Sequence, residues 1–260
     1  MSLYAQTSGS GPGLLLIHGW SLHGGIWEQL VPLLEPHFRV TCVDLPGHGR
    51  SDWRGEETID AMVGAVLSVA PAEAAWLGWS LGGLVAARAA LIAPARVSAL
   101  VEMASTPCFV RKPGWQSAML PALLDTFAAE LAEDYVRTLN RFLALQVRGS
   151  DGASEVLKTL RALMLVHGEP NPEGLRAGLE VLRTADLRDS LGRIDCPALL
   201  LMGERDTLVP VNAGQAACEL LPAAQLQVVA GAGHAPFIAQ PEMVAGLITG
   251  FLCEDVAQGC

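Results

Sequence analysis

The sequence predicts an α/β domain with a mostly parallel central sheet, helices on both faces and a helical cap insertion. Two observations carry this prediction. Short apolar runs bounded by Gly, Pro or polar residues recur along the chain, which is typical of strands buried on both faces of a sheet. Longer segments with helical periodicity separate these runs, and such alternation favours parallel strands. The chain has 260 residues, of which 51% are hydrophobic, enough for one large core.

The elements follow one another in a regular order up to residue 103 and again from residue 198. The predicted strands are Leu14–Ile17, Phe38–Val43, Ala75–Leu77, Val97–Met103, Ala198–Met202 and Leu226–Val229. The predicted helices between them are Ile26–Leu34, Thr58–Val69, Leu81–Ile92 and Val211–Leu221. Each strand–helix–strand step is long enough for a crossover connection between parallel neighbours.

A segment without strands interrupts this order between Met103 and Ala198. Its helical patterns lie at Trp115–Glu130, Leu131–Val147, Ser154–Val166 and Pro172–Thr184. We therefore predict a core formed by residues 1–106 and 187–260, and a helical cap formed by residues 107–186. Open α/β sheets bind ligands at the carboxyl ends of their strands, so we expect the cap to roof the active site there.

The charge and the cysteines limit the class of protein. The formal net charge of −10 argues against a nucleic acid partner. The start of the chain lacks a signal-peptide pattern and no apolar stretch reaches about 18 residues, so we expect a cytosolic protein without a membrane span. The six cysteines include no CxxC pair, which favours free thiols. The six histidines form no metal-binding spacing, so we expect no metal. We also expect no cofactor, and we expect a monomer.

The strongest chemical signal is the pentapeptide Gly78-Trp79-Ser80-Leu81-Gly82, which lies between a predicted strand and a predicted helix. A serine on a sharp strand–turn–helix connection exposes its hydroxyl above the sheet, and the glycines leave room for neighbouring backbone. The helix N-terminus that follows favours developing negative charge. We therefore predict that Ser80 is a catalytic nucleophile.

A serine needs a base, and the base needs an orienting acid. His234 lies in a glycine-flanked loop after the last predicted strand, where an imidazole can reach over the sheet edge. Asp206 follows the Ala198–Met202 strand and is the predicted acid, with Glu204 as the competing candidate. The order Ser80, Asp206, His234 is typical of serine hydrolases with this kind of turn.

Stabilising the oxyanion requires two backbone N–H donors. Leu81 directly follows the nucleophile and is the first candidate. Trp20 lies in the loop His18-Gly19-Trp20 after the first predicted strand and is the second, with its indole as a possible wall of the pocket. His18 is an alternative base by residue type, but we expect it to form hydrogen bonds within its loop.

Together these motifs and the loop Asp44–Ser51 resemble the α/β-hydrolase superfamily over nearly the whole chain. The resemblance implies the α/β-hydrolase fold and a structural role for His48. Within the superfamily, Gly78–Gly83, Arg141–Gln146 and His234–Phe237 are similar to the pimeloyl-acyl-carrier protein methyl ester esterases of biotin synthesis. This resemblance implies hydrolysis of a methyl ester on a carrier-bound pimeloyl chain. It also implies substrate contacts for Trp20, Ser80, Leu81 and His234, and an acyl channel lined by Phe142, Leu143, Ala144, Leu145 and Gln146.

The cap also has the charge that an acidic acyl-carrier protein requires. Residues 107–186 contain nine Lys and Arg against ten Asp and Glu, whereas the rest of the chain contains eight against seventeen. Arg137, Arg141 and Arg148 share one face of a predicted helix, and Lys158 and Arg161 share a face of the next. We predict that Arg137, Arg141, Arg148 and Lys158 dock the carrier; an ordinary solvated helix face is the alternative.

Other functions are compatible with the same site. A general carboxylesterase or lactonase would use the same three residues on a small-molecule ester. An acyltransferase would need a cap that excludes water from the acyl-enzyme. A ligand-binding module without activity is disfavoured because the nucleophile, the base, the acid and both oxyanion loops are all present.

Overall fold

The computed structural model describes residues 3–258 and is built around one seven-stranded sheet. The strands are β1 (Ala5–Ser8), β2 (Gly13–Ile17), β3 (Arg39–Val43), β4 (Ala74–Trp79), β5 (Val97–Met103), β6 (Ala198–Gly203) and β7 (Ala224–Val229). Their spatial order is β1-β3-β2-β4-β5-β6-β7. All neighbours are parallel except β1 and β3, which are antiparallel. The predicted α/β class is confirmed.

The two edges of the sheet differ from the sequence prediction. β1 was not predicted, because this strand has only four residues, most of which are polar; three of the four are exposed. β7 was predicted as a strand buried on both faces, yet most of it is exposed or half-buried, because β7 lies at the edge of the sheet. The central strands are buried as predicted, with β4 buried along its whole length.

The helices of the core cover the two faces of the sheet. They are α1 (Val31–Leu34), α2 (Ile59–Leu67), α3 (Leu81–Ile92), α8 (Val211–Leu220), α9 (Pro236–Ala239) and α10 (Pro241–Gln258). The predicted helix Ile26–Leu34 is wrong at its start, where a 3-10 turn at Gly24–Trp27 precedes the short α1. Pro32 explains the break, since it has no N–H to donate to a helical carbonyl four residues earlier.

Four helices lie between β5 and β6, as predicted: α4 (Pro121–Glu133), α5 (Tyr135–Gln146), α6 (Ala153–Leu163) and α7 (Pro172–Thr184). The first begins later than predicted, because isolated bridges Val110–Met119 and Lys112–Trp115 fold the preceding residues into an irregular loop. Asp134 separates α4 from α5 with extended backbone, and its side chain accepts a hydrogen bond from Arg137 N. The boundaries of the cap at 107 and 186 stay a prediction.

Several backbone and side-chain contacts join the cap to the core. Trp20 Nε1 donates to the Leu175 carbonyl of α7 at 2.7 Å. Asn171 N donates to the Gly47 carbonyl at 3.0 Å. These two contacts place α7 and the residue before it over the loops that follow β2 and β3. Within residues 3–258, none of the helices has both the length and the apolar character needed to cross a membrane.

Candidate active site

Ser80 lies on a strained turn between the last residue of β4 and the first residue of α3. Its φ of 55° and ψ of −117° are unfavourable for a residue with a side chain, and such strain is concentrated at functional sites. The turn is tight enough that a Cβ at Gly78 would lie 2.1 Å from the Gly82 carbonyl oxygen. The glycines on both sides of Ser80 therefore permit the turn that presents the hydroxyl.

Three predicted residues from separate loops meet at this turn. Ser80 Oγ lies 2.9 Å from His234 Nε2, and His234 Nδ1 lies 2.6 Å from Asp206 Oδ2. A carboxylate only accepts hydrogen bonds, so Nδ1 carries a proton and Nε2 accepts from the Ser80 hydroxyl. All three side chains are buried, with relative exposures of 3% for Ser80, 5% for Asp206 and 1% for His234. The arrangement is a serine–histidine–carboxylate relay shielded from bulk water.

The two acidic candidates, Asp206 and Glu204, form different hydrogen bonds. Asp206 Oδ1 accepts from Leu208 N at 2.8 Å and from Val209 N at 3.0 Å, which leaves Oδ2 directed at the imidazole. Glu204 instead accepts from Gly231 N at 2.8 Å. Asp206 is therefore the carboxylate in contact with His234, and Glu204 contacts the backbone of the histidine loop.

His18 is structural and uncharged. Its Nδ1 donates to the Gly19 carbonyl at 2.7 Å, and its Nε2 accepts from Leu45 N at 2.9 Å. Burial, with the nearby His48 as the next cause, lowers the pKa of His18 to about 3. Burial likewise lowers the pKa of His48 to about 4. Neither ring can serve as a base with a pKa near neutrality.

The predicted amide donors lie on both sides of Ser80. Leu81 N belongs to the first residue of α3, and Trp20 N lies in the turn closed by the Leu22 N to Gly19 carbonyl hydrogen bond. Among the residues that the structure describes, neither N–H donates to a protein acceptor. A Cβ at Gly19 would lie 3.3 Å from the Ser80 Cβ, so the loop after β2 runs directly beside Ser80.

The five residues predicted to line an acyl channel do not all face the same way, because a helix turns by about 100° per residue. Phe142 packs edge-on against Trp20, with ring centroids 4.8 Å apart. Phe142, Leu143 and Gln146 are buried, Leu145 is half-buried and Ala144 is exposed. The Gln146 carbonyl accepts from His234 N at 2.9 Å, so α5 also contacts the backbone of the relay histidine.

The four predicted docking residues are exposed, but one lies elsewhere than expected. Arg137, Arg141 and Lys158 lie on α5 and α6. Arg148 lies beyond the end of α5, so the shared helix face predicted for the three arginines is wrong at Arg148; the chain turns at Val147 and Gly149 instead. Arg161 Nε donates to Asn140 Oδ1 at 3.1 Å, which places the basic residues of α6 beside α5.

Trp79 has a role that the sequence analysis missed. Its indole Nε1 donates to the His234 carbonyl at 2.6 Å, and its ring packs against Phe237. Ser105 was also missed; its Oγ donates to the Ser80 carbonyl at 2.8 Å. The place of Trp79 directly before Ser80 is visible in the sequence, but only the fold reveals that Trp79 is fully buried and that its partner lies 155 residues away.

This geometry can perform acyl transfer from an ester through a covalent serine intermediate. The fold and the site are those of a serine hydrolase. The sheet has seven strands, Ser80 lies on a tight turn between a strand and a helix, and a histidine and a carboxylate lie on later loops. Residues 12–241 match the alpha/beta hydrolase fold family, and the chain belongs to that family.

The similar proteins narrow the class further. The chain is 44% identical over 247 residues to the pimeloyl-acyl-carrier protein methyl ester esterase of Photobacterium profundum, covering 95% of this chain and 97% of that protein. It is also 44% identical over 257 residues to the protein of the same name from Methylococcus capsulatus, covering 98% and 100%. An esterase from Exiguobacterium antarcticum shares the fold, with a TM-score of 0.86 at 22% identity over 96% of this chain and 94% of the other. The chain is an ester hydrolase, the class to which these curated relatives belong.

Proposed function

We propose that this chain hydrolyses the methyl ester of pimeloyl-acyl-carrier protein, a step of biotin synthesis. The observation that carries the proposal is the buried hydrogen-bonded relay from Ser80 through His234 to Asp206, with distances of 2.9 and 2.6 Å. The relatives that share 44% of its sequence over nearly their whole length are named for this substrate. The relay supports the chemistry, and the relatives support the substrate.

In the first half of the reaction, Ser80 Oγ attacks the ester carbonyl carbon while His234 Nε2 takes the hydroxyl proton. The tetrahedral intermediate collapses, the bond to the methoxy oxygen breaks, and the proton on Nε2 leaves with it as methanol. In the second half, His234 Nε2 takes a proton from water as the water oxygen attacks the acyl carbon. The second tetrahedral intermediate then collapses, the bond to Ser80 Oγ breaks, Oγ takes the proton from Nε2, and the acid product leaves. Asp206 holds Nδ1–H towards itself and stabilises the imidazolium formed in both halves.

The oxyanion of each tetrahedral intermediate accepts from Trp20 N and Leu81 N. Both amides are free of protein acceptors within the part of the chain that the structure describes, and their loops flank Ser80. A preorganised pair of amides stabilises charge that develops only in the transition state, and losing one such donor costs on the order of 3 kcal/mol. Ser80, His234 and the backbone amides of Trp20 and Leu81 thus contact the reacting group itself.

The acyl chain lies between the core and α5 in this proposal. Trp20 and Phe142 pack edge to face, and Leu143 and Gln146 of α5 are buried as well. Apolar side chains such as these suit an unbranched methylene chain, which gains about 0.8 kcal/mol for each buried methylene. Leu145 and Ala144 belong to the same segment, but their half-buried and exposed positions give them a smaller part in the channel.

The carrier protein docks on the exposed basic residues of the cap. We call Arg137, Arg141, Arg148 and Lys158 the basic face. Arg141 is paired with Glu130, whereas no carboxylate of the described residues pairs with Arg137, Arg148 or Lys158. Unpaired cations on an otherwise acidic protein support attraction of an acidic partner to this side of the molecule.

The site is complete within one chain, which supports a monomer. Cys42, Cys108, Cys196, Cys218 and Cys253 are free thiols, which supports a reducing cytoplasmic location; Cys260 lies outside the described residues.

The deciding experiment compares two substrates side by side. Purified protein is assayed on the methyl ester of pimeloyl-acyl-carrier protein and on a short p-nitrophenyl ester, with Ser80→Ala as the blank for contaminating esterase. A kcat/KM at least tenfold higher on the carrier-bound ester supports the proposal. An equal or higher kcat/KM on the short ester would instead assign a general carboxylesterase.

A further inference from the structure

We propose that Glu204 is a positioning residue of this hydrolase, which holds the loop carrying His234 in register with the loop carrying Asp206. The proposal rests on the Ser80 relay of the proposed function. Among the described residues, no hydrogen bond joins the Glu204 side chain to Ser80, His234 or Asp206; its carboxylate acts through the backbone of Gly231.

Besides the bond between His234 and Asp206 themselves, three hydrogen bonds join these two loops. Glu204 N donates to the Val229 carbonyl at 3.1 Å, and Arg205 N donates to the Ala232 carbonyl at 2.8 Å. Between these backbone bonds, the Glu204 side chain turns back and its Oε2 accepts from Gly231 N at 2.8 Å. Of the three bonds, only the last depends on the identity of a side chain.

The Gly231 turn needs such an acceptor. Gly231 is buried and has a φ of +71°, a conformation that favours glycine. Its carbonyl accepts from Asp151 N of the cap at 2.8 Å, and its N–H donates to Glu204, so both polar groups of the Gly231 backbone are bonded. A buried N–H without an acceptor is unfavourable, so loss of the Glu204 carboxylate would favour a different conformation of the turn.

The distance along the chain explains how the turn affects catalysis. Gly231 lies three residues before His234, and Glu204 lies two residues before Asp206. The imidazole and the carboxylate that these loops carry are 2.6 Å apart. A shift of one loop against the other lengthens that hydrogen bond directly, and a misplacement of about 1 Å in a catalytic group can lower the rate on the order of 100-fold.

The test uses two substitutions at Glu204 and one matched control. Glu204→Ala removes the acceptor. Glu204→Gln removes the charge but keeps a carbonyl oxygen that Gly231 N can donate to. Glu219→Ala removes one exposed carboxylate from α8 and changes the net charge by the same amount as the first two. All are assayed for kcat and KM on a short p-nitrophenyl ester, and thermal melting checks that each variant is folded.

We expect kcat to fall on the order of 10- to 100-fold in Glu204→Ala with KM changed less than about twofold. Glu204→Gln should recover most of that loss, and Glu219→Ala should match the wild type. The downfield proton resonance of His234 Nδ1–H should be present in wild type and Glu204→Gln, and broadened or shifted upfield in Glu204→Ala. If Glu204 contributed only to stability, Glu204→Ala would lower the melting temperature but leave this resonance and the kcat unchanged.

Two results would overturn the proposal: a Glu204→Ala protein with wild-type kcat and an intact resonance, or a Glu204→Gln protein as impaired as Glu204→Ala, which would assign the effect to charge. The NMR measurement needs no substrate, and the short ester needs no carrier. A wrong assignment of the physiological substrate would therefore leave this comparison unaffected.

Discussion

The indole Nε1 of Trp79 donates a 2.6 Å hydrogen bond to the backbone carbonyl of His234. The residue before Ser80 thereby holds the histidine that faces Ser80. His234 N donates to Gln146, Nδ1 donates to Asp206, and Nε2 accepts from Ser80, so every polar group of this residue has a partner. The imidazole is fixed through both its backbone and its ring.

Trp79→Phe keeps an aromatic ring but removes the indole N–H, which leaves the buried His234 carbonyl without that donor. We expect a free energy of unfolding lowered by about 1–3 kcal/mol, together with a lower kcat. Chemical denaturation and steady-state kinetics measure the two effects. Trp53→Phe is the matched control, because the Trp53 indole bonds to exposed Glu173 in the cap rather than to the relay. Equal kcat values in the two variants would contradict the positioning role.

Ser80→Ala should abolish ester hydrolysis and leave the fold intact, since only a hydroxyl is lost. Circular dichroism checks the fold, and a p-nitrophenyl ester assay checks the activity. Removing a nucleophile of this kind normally lowers kcat by several orders of magnitude. Residual activity above about 1% of the wild type, in protein free of contaminating esterase, would rule out Ser80 as the nucleophile.

Asp206→Asn should lower kcat on the order of 10³- to 10⁴-fold. The amide oxygen can still accept from Leu208 N and Val209 N, so the geometry is retained, but the amide NH₂ faces Nδ1 and favours the wrong imidazole tautomer. Steady-state kinetics measures the loss. A greater loss in Glu204→Gln than in Asp206→Asn would show that the acid had been assigned to the wrong residue.

The basic face predicts a substrate-dependent effect of charge. Arg137→Glu with Lys158→Glu should raise KM for the carrier-bound ester, because an acidic carrier would meet repulsion. The kcat/KM for a p-nitrophenyl ester should stay nearly unchanged. The difference should shrink as salt rises, because exposed charges are screened beyond about 10 Å at 0.1 M ionic strength.

The matched control for the basic face is Arg39→Glu with Arg193→Glu, which makes the same change in net charge on exposed residues outside the cap. This control should affect the carrier-bound ester far less than the cap variant does. Equal losses on both substrates in the cap variant would point to misfolding of the cap. An unchanged KM for the carrier would remove the basic face from the proposed function.

Glu102 predicts how stability depends on pH. Burial raises the pKa of Glu102 from its ordinary 4.5 to about 8, and neither carboxyl oxygen has a partner among the described residues. The unfolded chain ionises this group at lower pH than the folded protein does. The folded state is therefore increasingly penalised as pH rises from about 4.5 to 8, and the penalty is complete above 8.

Glu102→Met replaces the carboxyl group with an uncharged side chain of similar size, and so removes this penalty. The gain in free energy of unfolding should be small at pH 5 and on the order of 3–5 kcal/mol larger at pH 9. Chemical denaturation at the two pH values measures it, with exposed Glu219→Met as the control. The same change in stability at both pH values would show that Glu102 does not titrate differently in the folded protein.

Much of the fold and of the site could be predicted from the sequence, because short patterns of neighbouring residues indicate the strands and the turn at Ser80. The apolar runs predicted six strands, since a buried parallel strand must be apolar on both faces. The glycines around Ser80 indicated the elbow, because only glycines permit so close a backbone approach. Ser80, Asp206 and His234 each follow a strand of one parallel sheet, so the topology itself brings them to the same edge.

Tertiary contacts decided the rest, because the partners lie far apart in the chain or the geometry depends on packing. Only the structure shows that the Asp206 carboxylate contacts the imidazole of His234 and that the Glu204 carboxylate contacts Gly231 N. The hydrogen bond of Trp79 spans 155 residues. The end of α5 before Arg148 and the exposure of β7 likewise depend on neighbours. A sequence pattern reports what each residue requires locally, whereas only the packed structure determines which distant group satisfies it.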